Sequence, residues 1–112
     1  MKKICAVSFT MILLLASFAA SAGQVVGSIS YLVQRSSDGL IYMSINGATV
    51  GSPACATGAY FMIANETSEA GKKQFAMLLA AKASGLQVKI TGRNTCTRWG
   101  DGEDIDEVWL LN

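Results

Sequence analysis

Hydrophobic and polar residues alternate in several short segments separated by turn residues, a pattern that predicts strands. Gly27 to Arg35 and Leu40 to Ile45 are two such segments, and the Asp38-Gly39 turn between them favours a hairpin. The stretch from Gly47 to Gly58 is rich in glycine, contains the only proline and is predicted to be a loop. In the first segment, the residues predicted to share the inward face are Ile29, Tyr31 and Val33.

One helical segment interrupts the strands in the second half of the chain. It is predicted over residues 68–84, because Thr67 or Ser68 can cap its first amides and Gly85 follows its end. The apolar residues at helical spacing, which predict its inward face, are Phe75, Leu78, Leu79 and Ala83.

Strands are predicted on both sides of this helix. Ala59 to Ala64 is a nearly continuous apolar run, typical of a buried strand. Leu86 to Thr91 alternates with Leu86, Val88 and Ile90 inward, and Ile105 to Leu111 forms the last strand. Three strands, one helix and two strands is the element order of the OB-fold, a small Greek-key barrel. We therefore predict a mainly β, five-stranded OB-fold barrel (β-β-β-α-β-β); an open α+β sheet with the same order is the alternative.

The first 22 residues have the pattern of a cleavable signal peptide. Lys2 and Lys3 precede an apolar run from Ile4 to Phe18, and Ala20-Ser21-Ala22 supplies small residues before Gly23. A membrane anchor is the alternative, but it needs roughly 20 apolar residues and this run is shorter. The sequence predicts a signal peptide at 1–22, a single domain at 23–112, and a secreted or periplasmic protein without a membrane segment after cleavage.

Cleavage at this point would change the cysteine count and the charge. Cys5 would leave, so that Cys55 and Cys96 are predicted to form one disulfide. The net charge would fall from +1 to −1, because Lys2 and Lys3 leave and no acidic residue does. A near-neutral domain lacks the basic face that nucleic acids require, so no nucleic-acid partner is predicted.

The residues that usually carry catalysis are scarce. The chain contains no histidine, which removes the commonest general base and metal ligand. An acidic group near the C-terminus lacks the spacing of a calcium loop and is predicted to be a solvated loop. Its members are Asp101, Glu103, Asp104, Asp106 and Glu107. We predict no enzyme activity, no metal and no cofactor.

The segment from Gly71 to Gly92, followed by Cys96 and Trp99, resembles a pattern in small exported bacterial proteins. It joins a helix of the type LLAAxxxG to a strand of the type VxxxG, then a cysteine. Those proteins resemble the binding subunits of subtilase-cytotoxin-like toxins, which are OB-folds that form five-membered rings and bind glycans. The resemblance implies a cell-surface glycan, a homo-oligomer (a pentamer) and a toxin A subunit as partners.

Candidate ligand-binding residues follow from the pattern and the resemblance. Trp99 lies between Arg98 and Asp101 in a polar loop, where a tryptophan can stack on a sugar. The alternative, which is commoner for such a tryptophan, is that its ring covers the disulfide or one end of the barrel. Ser28 is a neighbour of the position where the toxin subunits hold a sugar-contacting serine. The predicted function is a non-catalytic glycan-binding subunit, and the alternative is a solitary periplasmic or surface structural protein that shares only the fold.

Overall fold

A computed structural model describes residues 21–112; of the predicted signal peptide, residues 1–20 lie outside the described residues. The strands close into a barrel in the order β1-β2-β3-β5-β4. The predicted fold is confirmed: the domain is mainly β with one helix, and its barrel is of the OB type. Its elements are β1 (Gln24–Gln34), β2 (Ile41–Asn46), β3 (Phe61–Met62), α1 (Glu69–Ser84), β4 (Gln87–Gly92) and β5 (Glu103–Leu110).

Closure of the barrel depends on β1, which pairs antiparallel with both β2 and β4. The short strand β3 pairs antiparallel with β2 and parallel with β5. Of the strand predicted from Ala59 to Ala64, only two residues form β3. The Ile63 amide, just after them, still donates to the Ile41 carbonyl at 3.0 Å. Because no sheet edge separates β1 from β4, the open sheet is excluded as an alternative.

Helix α1 begins and ends where its capping residues predict. The Ser68 hydroxyl accepts a hydrogen bond from the Gly71 amide at 3.0 Å, and Gly85 has φ +69°, in the left-handed region that favours glycine. The helix packs against β1, β4 and β5. The predicted boundaries of the helix are therefore confirmed.

The inward face of α1 is narrower than predicted. Leu78 and Ala81 are fully buried, and Phe75 packs against the core. Leu79 is 47% exposed and Ala83 is also exposed, so the prediction that they face inward was wrong. The contact between a helix and a small barrel follows one row of residues spaced by three, which leaves the adjacent row in solvent.

The barrel interior is filled by apolar side chains from every element. Leu86 was predicted among them but lies before β4 and is 36% exposed. The core cluster comprises Val25, Ile29, Ile41, Met43, Ile45, Phe61, Ile63, Leu78, Ala81, Val88, Ile90 and Ile105.

A β-bulge in β1 changes which residues of that strand face the core. The register with β2 shifts between Ile29 and Tyr31, so that Ile29 is 5% exposed whereas Tyr31 is 41% exposed. Leu32 packs against the core instead. The Lys82 ammonium of α1 donates to the carbonyls of Ile29 and Ser30, at 3.1 and 3.2 Å. The prediction that Tyr31 and Val33 share the inward face with Ile29 was therefore wrong, because neither of them belongs to the core.

The Cys55–Cys96 disulfide is confirmed. It joins the β2–β3 loop (residues 47–60) to the β4–β5 loop (residues 93–102), with 6.1 Å between the two Cα atoms. Disulfides persist in oxidising compartments, which places the domain outside the cytoplasm. Within residues 21–112, no helix is long and apolar enough to cross a membrane.

Candidate ligand-binding surface

Four aromatic side chains from four parts of the chain meet on the outside of the barrel. We call Tyr31, Tyr42, Tyr60 and Trp99 the aromatic surface. The ring centre of Tyr42 lies 6.2 Å from that of Tyr31, 5.8 Å from that of Tyr60 and 6.0 Å from that of Trp99. Tyr60 and Trp99 stack, with centres 5.8 Å apart and planes 30° apart. Tyr31 remains 41% exposed and Trp99 39% exposed, so both residues are accessible at the surface.

The strands position two of these rings by their alternation. Ile41 and Met43 face the core, so Tyr42 between them faces outward. Tyr42 pairs with Val33 across the β1–β2 ladder, and Tyr31 is two residues from Val33 on the outward face that the bulge creates. Tyr31 and Tyr42 are thus diagonal neighbours, within reach of each other's rings.

Two glycines position the Tyr60 ring. A Cβ atom at Gly58 would lie 2.4 Å from Cε1 of Tyr60, and one at Gly102 would lie 2.5 Å from Cε2. The ring therefore occupies space that only glycine leaves open on both sides. Its hydroxyl donates a hydrogen bond to the Asp101 carboxylate. Burial, together with this hydrogen bond and the charge of Asp101, raises the pKa of Tyr60 to about 12, so the phenol stays protonated at neutral pH.

A guanidinium group covers part of the Trp99 ring. The Arg35 guanidinium carbon lies 4.5 Å from the ring centre, a cation–π contact. Two further hydrogen bonds join Arg35 to the Asp38 carboxylate, from Nε at 2.9 Å and from Nη2 at 2.5 Å. These hydrogen bonds hold the pKa of Asp38 well below its ordinary value. The β1–β2 turn (residues 35–40) thus places an ion pair at the margin of the aromatic surface.

Arg98 fixes the β4–β5 loop rather than extending into solvent. Its Nε and Nη2 donate to the Glu66 carboxylate at 3.1 and 2.8 Å, and Nη2 also donates to the Asp38 carbonyl at 2.9 Å. These hydrogen bonds lower the pKa of Glu66. Because its side chain is engaged by two other segments, Arg98 positions its neighbour Trp99.

The prediction that the acidic residues near the C-terminus are exposed to solvent is wrong for two of them. Glu103 is 2% exposed and Asp104 is fully buried. Asp104 accepts hydrogen bonds from the hydroxyls of Thr95 and Thr97 and from the amides of Thr97 and Arg98, at 2.6–3.2 Å. Burial alone would raise the pKa of Asp104, but these hydrogen bonds lower it below its ordinary value. Asp104 therefore holds the backbone that carries Trp99.

The sequence-predicted site residues fall in two places. Trp99 and Asp101 meet at Tyr60 on the aromatic surface, whereas the neighbouring Arg98 side chain contacts Glu66 and Asp38. Ser28 lines a separate depression of about 390 Å³ between β1, β2 and the end of α1, and its hydroxyl accepts from Asn46 Nδ2 at 3.0 Å. Lys82 also lines this depression, which contains none of the four aromatic residues.

Sequence reasoning missed the three tyrosines and the Arg35–Asp38 pair. The alternation of Ile41, Tyr42 and Met43 is a signal that could have placed Tyr42 outside the barrel. No local signal placed Tyr31 there, because the bulge reverses the alternation of its strand. The proximity of Tyr60 to Trp99 depends on the disulfide and the parallel β3–β5 pairing, which join distant segments.

The arrangement suits non-covalent recognition: stacking rings flanked by charged and hydroxyl groups. Among residues 21–112, no group of three cysteine, aspartate or glutamate side chains is placed to hold a metal ion. When the chain was compared with protein-family models, curated proteins and solved structures, none of them matched.

Proposed function

We propose that the chain is a secreted, non-catalytic carbohydrate-binding protein whose ligand lies on the aromatic surface. The observation that carries this proposal is the Tyr60–Trp99 stack, with the Tyr31 and Trp99 rings exposed beside it. A sugar ring presents apolar C–H groups to an aromatic ring and hydroxyls to the polar side chains around it. OB-folds bind oligosaccharides and oligonucleotides on strands 2 and 3 and on the loops that join strands 1–2 and 4–5. The aromatic surface occupies that region of this barrel.

The charges around the aromatic surface favour a sugar over a nucleic acid. Asp101 is hydrogen-bonded to Tyr60 and Arg35 lies over Trp99, and beyond Arg35 the ion pairs continue through Asp38 and Arg98 to Glu66. Both guanidinium groups are already paired with carboxylates. Single-stranded nucleic acids need a positively charged groove beside their stacking rings. Sugar hydroxyls, in contrast, can donate to these carboxylates and accept from the guanidinium groups.

A ring of subunits, as the resemblance to toxin binding subunits implies, belongs to the same proposal. Val26, Lys89 and Trp109 are consecutive partners across β1, β4 and β5, away from the aromatic surface. Val26 is 44% exposed and Trp109 47% exposed, so two apolar side chains on either side of Lys89 are available to a second copy. Light scattering on the chain from Gly23 should give a pentameric mass. A monomeric mass at micromolar concentration would exclude the ring and, with it, a docking platform for a toxin A subunit.

A solitary protein that binds another protein is the second candidate. Tyrosine, tryptophan and arginine are the residues that dominate protein–protein binding energy, and the aromatic surface with Arg35 contains all three. Binding to free glycans would favour the carbohydrate-binding function. Capture of one defined protein partner without any glycan binding would favour the protein-binding function.

The two tryptophans allow a matched test of the first function. Trp99→Ala removes one ring of the aromatic surface, whereas Trp109→Ala removes a similarly exposed ring that contacts Lys89 elsewhere. On a glycan array, we expect Trp99→Ala to lose at least about tenfold in affinity, the effect of one stacking contact worth about 1.4 kcal/mol. Trp109→Ala should keep the affinity of the unchanged protein for a single soluble glycan, measured by calorimetry, because binding at one site does not depend on the ring of subunits. Absence of binding to any glycan, or equal binding by both variants, would contradict the proposal.

A further inference from the structure

A buried carboxylate lies beside the first residue after the predicted cleavage site. Glu103 is 2% exposed. The Gly23 backbone nitrogen donates to both of its oxygens, at 2.9 Å to Oε1 and 3.1 Å to Oε2. The Asn94 amide donates to Oε2 at 2.9 Å. The carboxylate is thus aimed directly at the nitrogen of residue 23.

Two glycines make room for this carboxylate. A Cβ atom at Gly92 would lie 1.8 Å from Oε2 of Glu103, and one at Gly23 would lie 2.4 Å from Oε1. The Gly92 amide also donates to the Gly23 carbonyl at 2.8 Å, so residue 23 is held from both of its backbone groups. Side chains at either position would push the Gly23 nitrogen away from the carboxylate.

The charge of Glu103 needs a partner. In the part of the chain from residue 21 onward, no lysine or arginine nitrogen lies within 4.0 Å of its oxygens. A buried carboxylate without a cation is costly, and an opposite charge with good geometry offsets that cost. The Gly23 nitrogen becomes such a cation if the chain is cut immediately before it.

We infer that Glu103 is the binding site for the α-ammonium group that forms when the Ala22–Gly23 bond is hydrolysed. In that reaction water adds its oxygen to the Ala22 carbonyl carbon, the C–N bond breaks, and both protons of the water end on the Gly23 nitrogen. The products are the Ala22 carboxylate and the Gly23 ammonium. The nitrogen already has its place against Glu103, and it now carries a positive charge and three hydrogens. Donor and acceptor are then both charged, and each of the two hydrogen bonds can use a hydrogen of its own, which strengthens both of them.

Only hydrolysis immediately before Gly23 places an ammonium group at this carboxylate. A chain that began at Ala22 would carry its ammonium group one residue further from the carboxylate, and the Gly23 nitrogen would remain an uncharged amide. A chain that began at Gln24 would lack the donor. The inference is independent of what the aromatic surface binds, since it concerns how the barrel is held closed at the start of β1.

The first test compares chains that differ only at the N-terminus. One begins at Gly23 and the other retains Ser21 and Ala22; each is released from a fusion by a protease. Urea unfolding should give an equilibrium constant for unfolding at least about tenfold smaller for the chain that begins at Gly23, the effect expected of a charged hydrogen bond. Equal unfolding constants for the two chains would overturn the inference.

The second test changes the carboxylate. Glu103→Gln should remove the difference between the two chains, whereas Glu107→Gln, an exposed glutamate on the same strand, should preserve it. An undiminished difference in the Glu103→Gln background would contradict the inference.

A third measurement needs no variant, in case Glu103→Gln does not fold. In the chain that begins at Gly23, the α-amino group should react with an N-hydroxysuccinimide ester at least about tenfold more slowly in the folded protein than in urea. Peptide mass spectrometry would follow the reaction. Exposed lysines such as Lys73 serve as controls. Equal rates for the α-amino group in both conditions would overturn the inference.

Discussion

Replacement of Asp104 by asparagine should destabilise the domain far more than the same replacement at Asp106, two residues further along β5. The carboxylate is fully buried and accepts four hydrogen bonds. Three of them converge on Oδ2, at 2.8, 2.9 and 2.6 Å, and come from Thr95 and Thr97. The fourth joins Oδ1 to the Arg98 amide at 3.2 Å. Each carboxylate oxygen faces one backbone amide, which can only donate, so either orientation of an asparagine side chain places its NH₂ against a backbone N–H.

The size of the effect follows from the better of the two amide orientations. With its oxygen toward Thr95 and Thr97, asparagine keeps three bonds, each weakened by the loss of charge, and its NH₂ faces the Arg98 amide. A hydrogen bond to a charged group contributes about 1.5–3 kcal/mol and a neutral one about 1 kcal/mol. Loss of one bond and weakening of three should lower the free energy of unfolding by about 3 kcal/mol. The domain should stay folded if its stability is in the usual range of about 5–15 kcal/mol.

The assay is urea unfolding followed by tryptophan fluorescence, since Trp99 lies in the loop that Asp104 holds. Asp106→Asn is the matched control: its carboxylate is half-exposed and 3.8 Å from Arg93, and the change should cost less than about 0.5 kcal/mol. A loss below about 1 kcal/mol for Asp104→Asn would refute the role given to the buried carboxylate.

The pH dependence supplies a second readout of the same interaction. The folded protein lowers the pKa of Asp104, so folding disfavours the protonated form. Its contribution to stability is fully present above the ordinary aspartate pKa of about 4 and is lost as the pH falls through the lower folded value. The difference in unfolding free energy between the unchanged protein and Asp104→Asn should therefore narrow below about pH 4. A constant difference from neutral pH to acid would contradict this account.

Two further predictions concern the connections that hold the barrel. Reduction of the Cys55–Cys96 disulfide, or replacement of both residues by serine, should lower the free energy of unfolding by about 4 kcal/mol, because a loop of 41 residues is released. Calorimetry with and without reductant would measure this loss. An unchanged midpoint of thermal unfolding would contradict the prediction. Lys82→Met should lower the free energy of unfolding in urea by about 1 kcal/mol, because the carbonyls of Ile29 and Ser30 at the bulge lose their hydrogen-bond donor. An unchanged free energy of unfolding would show that the bulge does not depend on the helix.

The sequence allowed prediction of the features that depend on local chemistry. Ser68 and Gly85 marked the ends of α1, because a hydroxyl caps free amides and only glycine adopts the left-handed region without strain. The two cysteines that remain after the predicted cleavage formed the expected disulfide. The order of elements, with a single helix between the third and fourth strands, was sufficient to predict the barrel.

The features that could not be predicted depend on contacts between distant segments. The bulge at Ser30 shifts the phase of β1 by one residue, so that Tyr31 faces outward although the pattern places it inward. Glu103 and Asp104 look like part of a solvated acidic loop, because carboxylates are seldom buried without a partner. Their partners are backbone amides and threonine hydroxyls, as for Asp104, which composition and charge patterning do not reveal.

The β4–β5 loop combines these distant contacts in a way that bears on binding. The disulfide at Cys96 ties it to the β2–β3 loop, Asp104 accepts from its backbone, and Arg98 joins it to Glu66. Trp99 therefore lies on a loop fixed at three points, although the residue itself is 39% exposed. A binding surface ordered in advance loses less conformational entropy when the ligand arrives. The disulfide and the buried polar contacts of the loop thus hold the Tyr60–Trp99 stack in place before any ligand is bound.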